Sequence, residues 1–109
     1  MSVISGIVLE ELKRNVTMQR NYNERLDSYV KGSLVYKKRN NNEYCYLSYR
    51  DDGGKPKYKY LGLKDSAVVQ DCVKSIENYR YFKQQIKHLK EEEIDMRKML
   101  KAVKETINV

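Results

Sequence analysis

Residues 31–64 combine two kinds of side chain that can bind a polyanion, basic groups and tyrosines. This segment holds nine Lys and Arg residues, three acidic residues and six tyrosines, and it accounts for +6 of the chain's net charge of +7. Basic side chains neutralise phosphates and release their condensed counterions. Tyrosine can stack on an unpaired base or hydrogen-bond to a phosphate. Because concentrated positive charge repels itself, we expect this segment to have a polyanionic partner.

The same segment has the sequence pattern of three short β-strands. Between Ser33 and Leu63, tyrosines and apolar residues alternate with polar ones, as in strands that have one covered face. Three asparagines at residues 40–42 predict a first turn, since Asn tolerates the left-handed backbone conformation. The Asp-Asp-Gly-Gly run at residues 51–54 predicts a second turn. We therefore expect a three-stranded antiparallel β-meander over residues 33–63.

The turn lengths predict which residues share a face of the meander. A four-residue loop at 51–54 sets Arg50 opposite Lys55, and a two-residue turn at Asn41-Asn42 adds the first strand. Opposed residues of antiparallel strands lie on the same face. The face predicted to bind nucleic acid, either DNA or RNA, contains Lys37, Arg39, Tyr44, Tyr46, Arg50, Lys55, Lys57 and Lys59. The opposite face, expected to pack on a helix, contains Leu34, Tyr36, Lys38, Cys45, Leu47, Tyr49, Pro56, Tyr58 and Tyr60.

Two alternatives to this interpretation remain open at the level of sequence. A one-residue slip in register at the first turn would move the side chains of the first strand to the opposite face. The lysines of a sheet surface can also serve only to prevent edge-to-edge aggregation, with no ligand at all.

Two helices are predicted to flank the meander, over residues 5–29 and 65–107. Gly32 is expected to cap the end of the first helix, and Asp65-Ser66 to begin the second. Both helices carry an apolar heptad stripe, which in the second helix includes Val68, Cys72 and Ile107 and is widened near the helix start by Val69, Val73 and Ile76. Polar residues interrupt it at Asn15 and Gln19 in the first helix and at Ser75 and Glu93 in the second, where Glu93 is expected to break the stripe or to specify register.

The matching stripes predict that the two helices form an antiparallel coiled-coil-like hairpin. Pairing within one chain costs less entropy than pairing between chains, although a homodimer through the long helix is the competing solution. The predicted fold class is α+β, with an N-terminal helix, a three-stranded antiparallel β-meander and a long C-terminal helix. We expect residues 1–109 to form a single domain.

Residues that commonly perform catalysis or bind metals form no recognisable pattern. His88 is the only histidine, and we expect it on a helix surface. Cys45 and Cys72 form no CxxC pair and are expected to be buried free thiols of a reducing compartment. The three glutamates at 91–93 point about 100° apart on a helix, so they cannot converge on a ligand. We expect no enzyme activity, no cofactor and no metal.

The chain is not expected to enter a membrane. It has no apolar stretch near the roughly 18 residues that a spanning helix needs. A short apolar run at the N-terminus is followed by Glu10 and Glu11 and is preceded by no basic region, so a signal peptide is not expected. The predicted location is the cytoplasm.

Three motifs of the meander, GSLVYKK from residue 32, YCYLSYR from residue 44 and KYLG from residue 59, support a comparison with a known family. They resemble the N-terminal arm-binding (AP2-like) domains of phage and transposon tyrosine recombinases, in which the sheet lies in the DNA major groove. The resemblance implies DNA contacts by Lys37, Arg39, Tyr44, Tyr46, Arg50, Lys57 and Lys59. The long heptad-patterned helix has no counterpart in that family.

The pattern of the whole chain looks more like a group of short proteins of phages, plasmids and bacteria, which suggests a mobile-element origin and implies no defined activity. Small basic proteins of mobile elements include anti-CRISPR inhibitors. One alternative function is therefore inhibition of a Cas nuclease or binding to its ribonucleoprotein. A third possibility is a coiled-coil adaptor, for which the helices alone would suffice.

Overall fold

The chain folds into two helices and one antiparallel sheet. The computed structural model describes residues 3–107 and the side chains of residues 3–103. In chain order the elements are α1 (Val3–Leu26), β1 (Ser33–Arg39), β2 (Asn42–Arg50), β3 (Pro56–Leu63) and α2 (Ala67–Ile107). The three strands lie in sequence order within one sheet. The predicted α+β fold class, with its β-meander between two helices, is confirmed.

The chain divides into two compact units, each described here by itself. The first contains α1 and the part of α2 that begins at Phe82. The second, Asp27–Tyr81, contains the sheet and the first part of α2. The expectation of a single domain over residues 1–109 stays a prediction.

In the first unit, α1 and α2 pack as an antiparallel pair. The Tyr22 and Phe82 rings lie 5.2 Å apart between centroids, and the Asn15 amide donates to the Leu89 carbonyl at 2.8 Å. Asn15 precedes Tyr22 by seven residues on α1, and Leu89 follows Phe82 by seven residues on α2. The two helices therefore run in opposite directions. Leu12, Leu26, Phe82 and Ile86 are buried in this unit. The coiled-coil-like hairpin expected from the heptad stripes is therefore confirmed.

The polar residues within the two stripes bond to each other across the helix pair. Gln19 Nε2 donates to Asn15 Oδ1 at 2.6 Å and to Glu93 Oε1 at 2.8 Å. Arg97 Nε completes the chain of bonds by donating to Glu93 Oε2 at 2.7 Å. These bonds form only when α1 and α2 are aligned in one way, which supports the prediction that Glu93 specifies register.

The first helix ends earlier than predicted. α1 stops at Leu26, not at residue 29, and the next two residues, Asp27 and Ser28, are types that favour turns and helix ends over helix interiors. Gly32 is therefore not a helix cap. It lies against β2 instead, where a Cβ added to Gly32 would come within 2.6 Å of the Ser48 carbonyl oxygen.

The start of α2 packs within the second unit through the widened side of the predicted stripe, and one predicted stripe position is exposed. Ser66 caps the helix by accepting a hydrogen bond from the Val69 amide at 3.4 Å. Val69 and Ile76 are buried with Cys72, whereas Val68, expected in the stripe, is 57% exposed. A straight helix with 3.6 residues per turn drifts from a strict heptad, which accounts for the difference. The Ile107 side chain, the last predicted stripe position, lies outside the described side chains.

The β1–β2 turn lies one residue earlier than predicted, but the faces of β1 are as expected. Asn40 and Asn41 adopt φ angles of 51° and 65°, as a two-residue hairpin turn requires. Lys37 therefore pairs with Tyr44, not with Tyr46. A shift of two residues in register leaves every side chain on its original face.

The predicted β2–β3 register is wrong by one residue. Arg50 pairs with Pro56 and Tyr46 pairs with Tyr60, where Lys55 and Lys59 were expected. The cause is the Asp51 side chain, whose Oδ1 accepts a hydrogen bond from the Lys55 amide at 2.9 Å while the Asp51 amide donates to the Lys55 carbonyl at 3.0 Å. These bonds leave three residues in the loop, with Gly54 at φ 80°. An odd loop in place of an even one moves the side chains of residues 57–60 to the opposite face, up to the register shift between Cys45 and Tyr46.

Candidate nucleic-acid interface

One face of the sheet is rich in tyrosine and carries the basic residues of β1. We call it the tyrosine face. Its members, read from the strand register, are Ser33, Val35, Lys37, Arg39, Asn42, Tyr44, Tyr46, Ser48, Arg50, Pro56, Tyr58, Tyr60 and Leu63. Within the three strands, all of which the structure describes, no acidic residue shares this face. The face therefore combines aromatic surface with uncompensated positive charge.

Three tyrosine rings of this face lie in contact around Tyr60. The Tyr46 ring is 5.4 Å from the Tyr60 ring between centroids, tilted by 57°, and the Tyr44 ring is 6.3 Å from it, tilted by 45°. Tilted aromatic pairs at these distances are attractive. Tyr44 and Tyr46 are half-buried, whereas Tyr58 is 65% and Tyr60 53% exposed. Tyr58 and Tyr60 thus expose aromatic surface to solvent, and the Tyr60 ring is held by the rings of Tyr44 and Tyr46.

The three cations of the tyrosine face lie around these rings. Lys37 Nζ is 5.2 Å from the centroid of the Tyr46 ring, a favourable cation–π distance. The Arg50 guanidinium donates to the Gly54 carbonyl oxygen at 2.9 Å, which holds it beside the β2–β3 loop. Arg39 ends β1 and is exposed. Each cation keeps exposed surface through which it can approach a phosphate.

Three of the predicted site residues do not lie on this face. Lys57 pairs with Tyr49 and Lys59 pairs with Leu47, so both belong to the opposite face, which we call the Cys45 face. Burial raises the pKa of the Cys72 thiol, and the nearby positive charge of Lys59 opposes part of that shift. Lys55 lies outside both strands, between β2 and β3, where it pairs with Asp51 and closes the loop. The prediction that six basic residues converge on one face is therefore wrong, and three of them do so.

Tyr58 and Tyr60 are the site residues that the sequence analysis assigned to the wrong face. Asp51 was the signal that could have placed them correctly, because an Asp side chain often bonds to a backbone amide beyond it and so shortens the loop. A glycine at the third loop position is typical of three-residue hairpin loops. Both features favour the register that moves these tyrosines to the tyrosine face.

A single acidic side chain at the end of the sheet is neutralised by a lysine. The Glu43 carboxylate and Lys64 Nζ are 2.9 Å apart, and Lys64 Nζ is 5.7 Å from the centroid of the Tyr36 ring. The hydrogen bond and the charge of Lys64 lower the pKa of Glu43, and Glu43 in turn raises the pKa of Lys64. Since Glu43 pairs with Lys38 on the Cys45 face, its charge does not oppose an anion on the tyrosine face.

The thiols are buried in the second unit, as predicted. Cys45 is 0% exposed and Cys72 is also buried, and both are free. Burial raises the pKa of both thiols, so at neutral pH they stay protonated and are poor nucleophiles. Burial of Cys45 together with Cys72 supports the expectation that the Cys45 face packs on the long helix.

The histidine and the acidic residues that the structure describes form no cluster that resembles a catalytic or metal site. His88 is exposed, as expected, with Nδ1 3.8 Å from the Glu91 carboxylate. Among the described residues, no three His, Cys, Asp or Glu side chains come together in a way that could hold a metal ion. Within residues 3–107, neither helix combines the length and the apolar character that crossing a membrane requires.

Comparisons of this chain with protein-family models, with curated proteins and with solved structures find no match. The resemblance of the meander to recombinase arm-binding domains, and of the whole chain to short mobile-element proteins, therefore stays a hypothesis that rests on the motifs alone.

Proposed function

We propose that this chain is a small non-enzymatic module that binds nucleic acid through the tyrosine face. The observation that carries this proposal is the composition of that face, with four tyrosines and three cations on one side of a sheet and no acidic residue among them. Cations meet the phosphates of a nucleic acid, and aromatic rings meet its bases. Few other partners offer both chemistries at the spacing of neighbouring strands.

The charge of the whole chain supports the same partner. A net charge of +7 on 109 residues attracts polyanions over the distance at which salt screens charges, about 10 Å at 0.1 M. Lys57 and Lys59 contribute to this attraction although they lie on the Cys45 face. We therefore assign direct contacts to the tyrosine face and long-range attraction to the whole basic segment.

The number of cations on the tyrosine face sets the expected salt dependence. If Lys37, Arg39 and Arg50 each neutralise one phosphate, the logarithm of the binding constant should fall with the logarithm of salt concentration with a slope of about −2 for a single strand and about −3 for a duplex. A titration of the full chain with labelled DNA and RNA oligonucleotides between low and physiological salt measures this slope.

The titration can also reject the proposal. Absence of binding to single-stranded and duplex probes of both kinds at low salt would overturn it. In that case, binding to a purified Cas nuclease or to its ribonucleoprotein would favour the protein-inhibitor alternative. A partner retained by a variant that lacks residues 33–63 would favour the coiled-coil adaptor.

A further inference from the structure

We propose that the preferred ligand is single-stranded nucleic acid, two of whose bases stack on Tyr58 and Tyr60. This inference rests on the proposed function and names the ligand class for the same face. It applies to the chemistry that single-stranded DNA and RNA share, which is a flexible phosphate backbone with unpaired bases.

The exposure of the two rings is the first argument for a single strand. Tyr58 is 65% and Tyr60 53% exposed, so more than half of the surface of each residue is open to a ligand. Stacking a base on a tyrosine needs an accessible base face, and a duplex keeps its base faces inside the stack. Duplex DNA presents only base edges and phosphates in its grooves, which would leave both ring faces uncovered.

The spacing of the rings is the second argument. Tyr58 and Tyr60 are two residues apart on β3, so their backbone positions are about 6.7 Å apart along the strand. Consecutive bases of a duplex strand rise by about 3.4 Å. One base on each ring therefore requires a backbone stretched to roughly twice the duplex step, which an unpaired strand can adopt.

The neighbours of Tyr60 are the third argument. The Tyr44 and Tyr46 rings both contact the Tyr60 ring, and Lys37 lies over Tyr46. A side chain that is already held loses less conformational entropy when a ligand covers it. Lys37 is also placed to meet a phosphate of the strand whose base lies on Tyr60, so the cation and the ring act on neighbouring groups of one nucleotide chain.

Equilibrium binding of the full chain to a matched set of probes tests the inference. The probes are oligothymidine, oligouridine, oligothymidine in which abasic sites replace the bases, and a mixed-sequence duplex of the same length. We expect oligothymidine and oligouridine to bind more tightly than the duplex. The abasic strand should lose most of this gain in affinity over the duplex. Comparison of oligothymidine with oligouridine shows whether DNA or RNA is preferred.

Substitution of the two rings provides the second arm. Stacking contributes enough that replacing a stacked aromatic residue lowers affinity by roughly 5- to 150-fold. We expect losses in this range for Y58L and for Y60L with oligothymidine, and little change with the duplex. Y58F and Y60F keep the rings and should keep the affinity. Y36L, on the Cys45 face, serves as the matched control, and circular dichroism checks that each variant is folded.

The possible failures are distinguishable. Duplex binding equal to or tighter than single-strand binding, with no effect of Y58L and Y60L, would overturn the single-strand inference and leave nucleic-acid binding intact. Loss of affinity in Y58F and Y60F equal to that in Y58L and Y60L would assign the tyrosines to phosphate contacts and would also overturn stacking. Absence of binding to every probe overturns the proposed function itself.

Discussion

Tyr46 and Tyr60 face each other across β2 and β3, with their ring centroids 5.4 Å apart. Their pairing fixes the β2–β3 register and therefore determines that Tyr58 and Tyr60, and not Lys57 and Lys59, share a face with Lys37 and Tyr44. The candidate interface is consequently more aromatic and less basic than the sequence pattern predicted. Because of this difference, we expect the ligand to be a single strand with unpaired bases and not a duplex bound in its groove.

Gly32 allows the chain to pass close to β2. A Cβ at this position would lie 2.6 Å from the Ser48 carbonyl oxygen and 2.9 Å from Leu47 Cδ1, so the backbone must shift in G32A. We expect G32A to lower the free energy of unfolding by about 1–3 kcal/mol, as measured by urea denaturation.

Gly6 is the matched control for this substitution. It lies within α1, and a Cβ added there meets no atom within 4 Å. Because Ala is the better helix former, G6A should raise the free energy of unfolding by about 0.5–1 kcal/mol. Equal effects of G6A and G32A would contradict the close approach of Gly32 to β2.

Asn15 is a buried amide in the helix pair, with 4% of its surface exposed. It donates to the Leu89 carbonyl and accepts from Gln19. We expect N15A to lower the free energy of unfolding by about 1–3 kcal/mol because these hydrogen bonds and the packing of the side chain are lost.

The variant N15L distinguishes two roles of Asn15, its contribution to the free energy of unfolding and its selection of one alignment of the helices. An apolar side chain of similar size should cost less stability than N15A, since it loses the same hydrogen bonds but keeps most of the packing volume. It should weaken the preference for one alignment of the helices, so that light scattering detects association of chains. A strictly monomeric N15L variant would show that Asn15 does not specify the pairing.

Glu93 should make the stability of the helix pair depend on pH. Hydrogen bonds from Gln19 and then from Arg97 lower its pKa below the ordinary value of 4.5. A carboxylate with a lowered folded-state pKa stabilises the fold above the unfolded-state pKa. That stabilisation is lost as the pH falls below about 4.5 towards the folded-state value.

Urea denaturation of the wild type and E93Q at a series of acidic pH values measures this contribution. We expect the stability of E93Q to fall less steeply below pH 4.5 than that of the wild type. E92Q, which changes an exposed neighbour, is the control and should follow the wild-type curve. Identical curves for E93Q and the wild type would exclude a role for this carboxylate in the acid response.

The element order and the helix pairing followed from the sequence because the patterns behind them are one-sided. The faces of β1 also followed, since the error in the turn changed the register by two residues, which leaves each side chain on its face. The helices carry long apolar stripes that only another helix or a sheet can cover. In the two helices, the apolar stripe read from the sequence is therefore the side that packs in the structure.

The face of β3 did not follow from its sequence because Lys57, Tyr58, Lys59 and Tyr60 are all amphipathic. Lysine and tyrosine each have an apolar body and a polar end, so either can lie on a half-covered face. The hydrogen bonds of Asp51 decide between the two registers, and an extra β3 residue at Leu61, opposite Cys45 and Tyr46, ends the shifted pairing. Neither feature appears in the alternation of residue types.

The most direct test of the account compares charge reversal on the two faces of the sheet. K37E/R39E and K57E/K59E change the net charge equally, and all four side chains are exposed on strands of the same sheet. We expect K37E/R39E to weaken binding of oligothymidine at least about tenfold more than K57E/K59E and to reduce the salt slope by roughly 1.4. An equal loss in both variants, or a greater loss in K57E/K59E, would contradict the assignment of the binding surface to the tyrosine face.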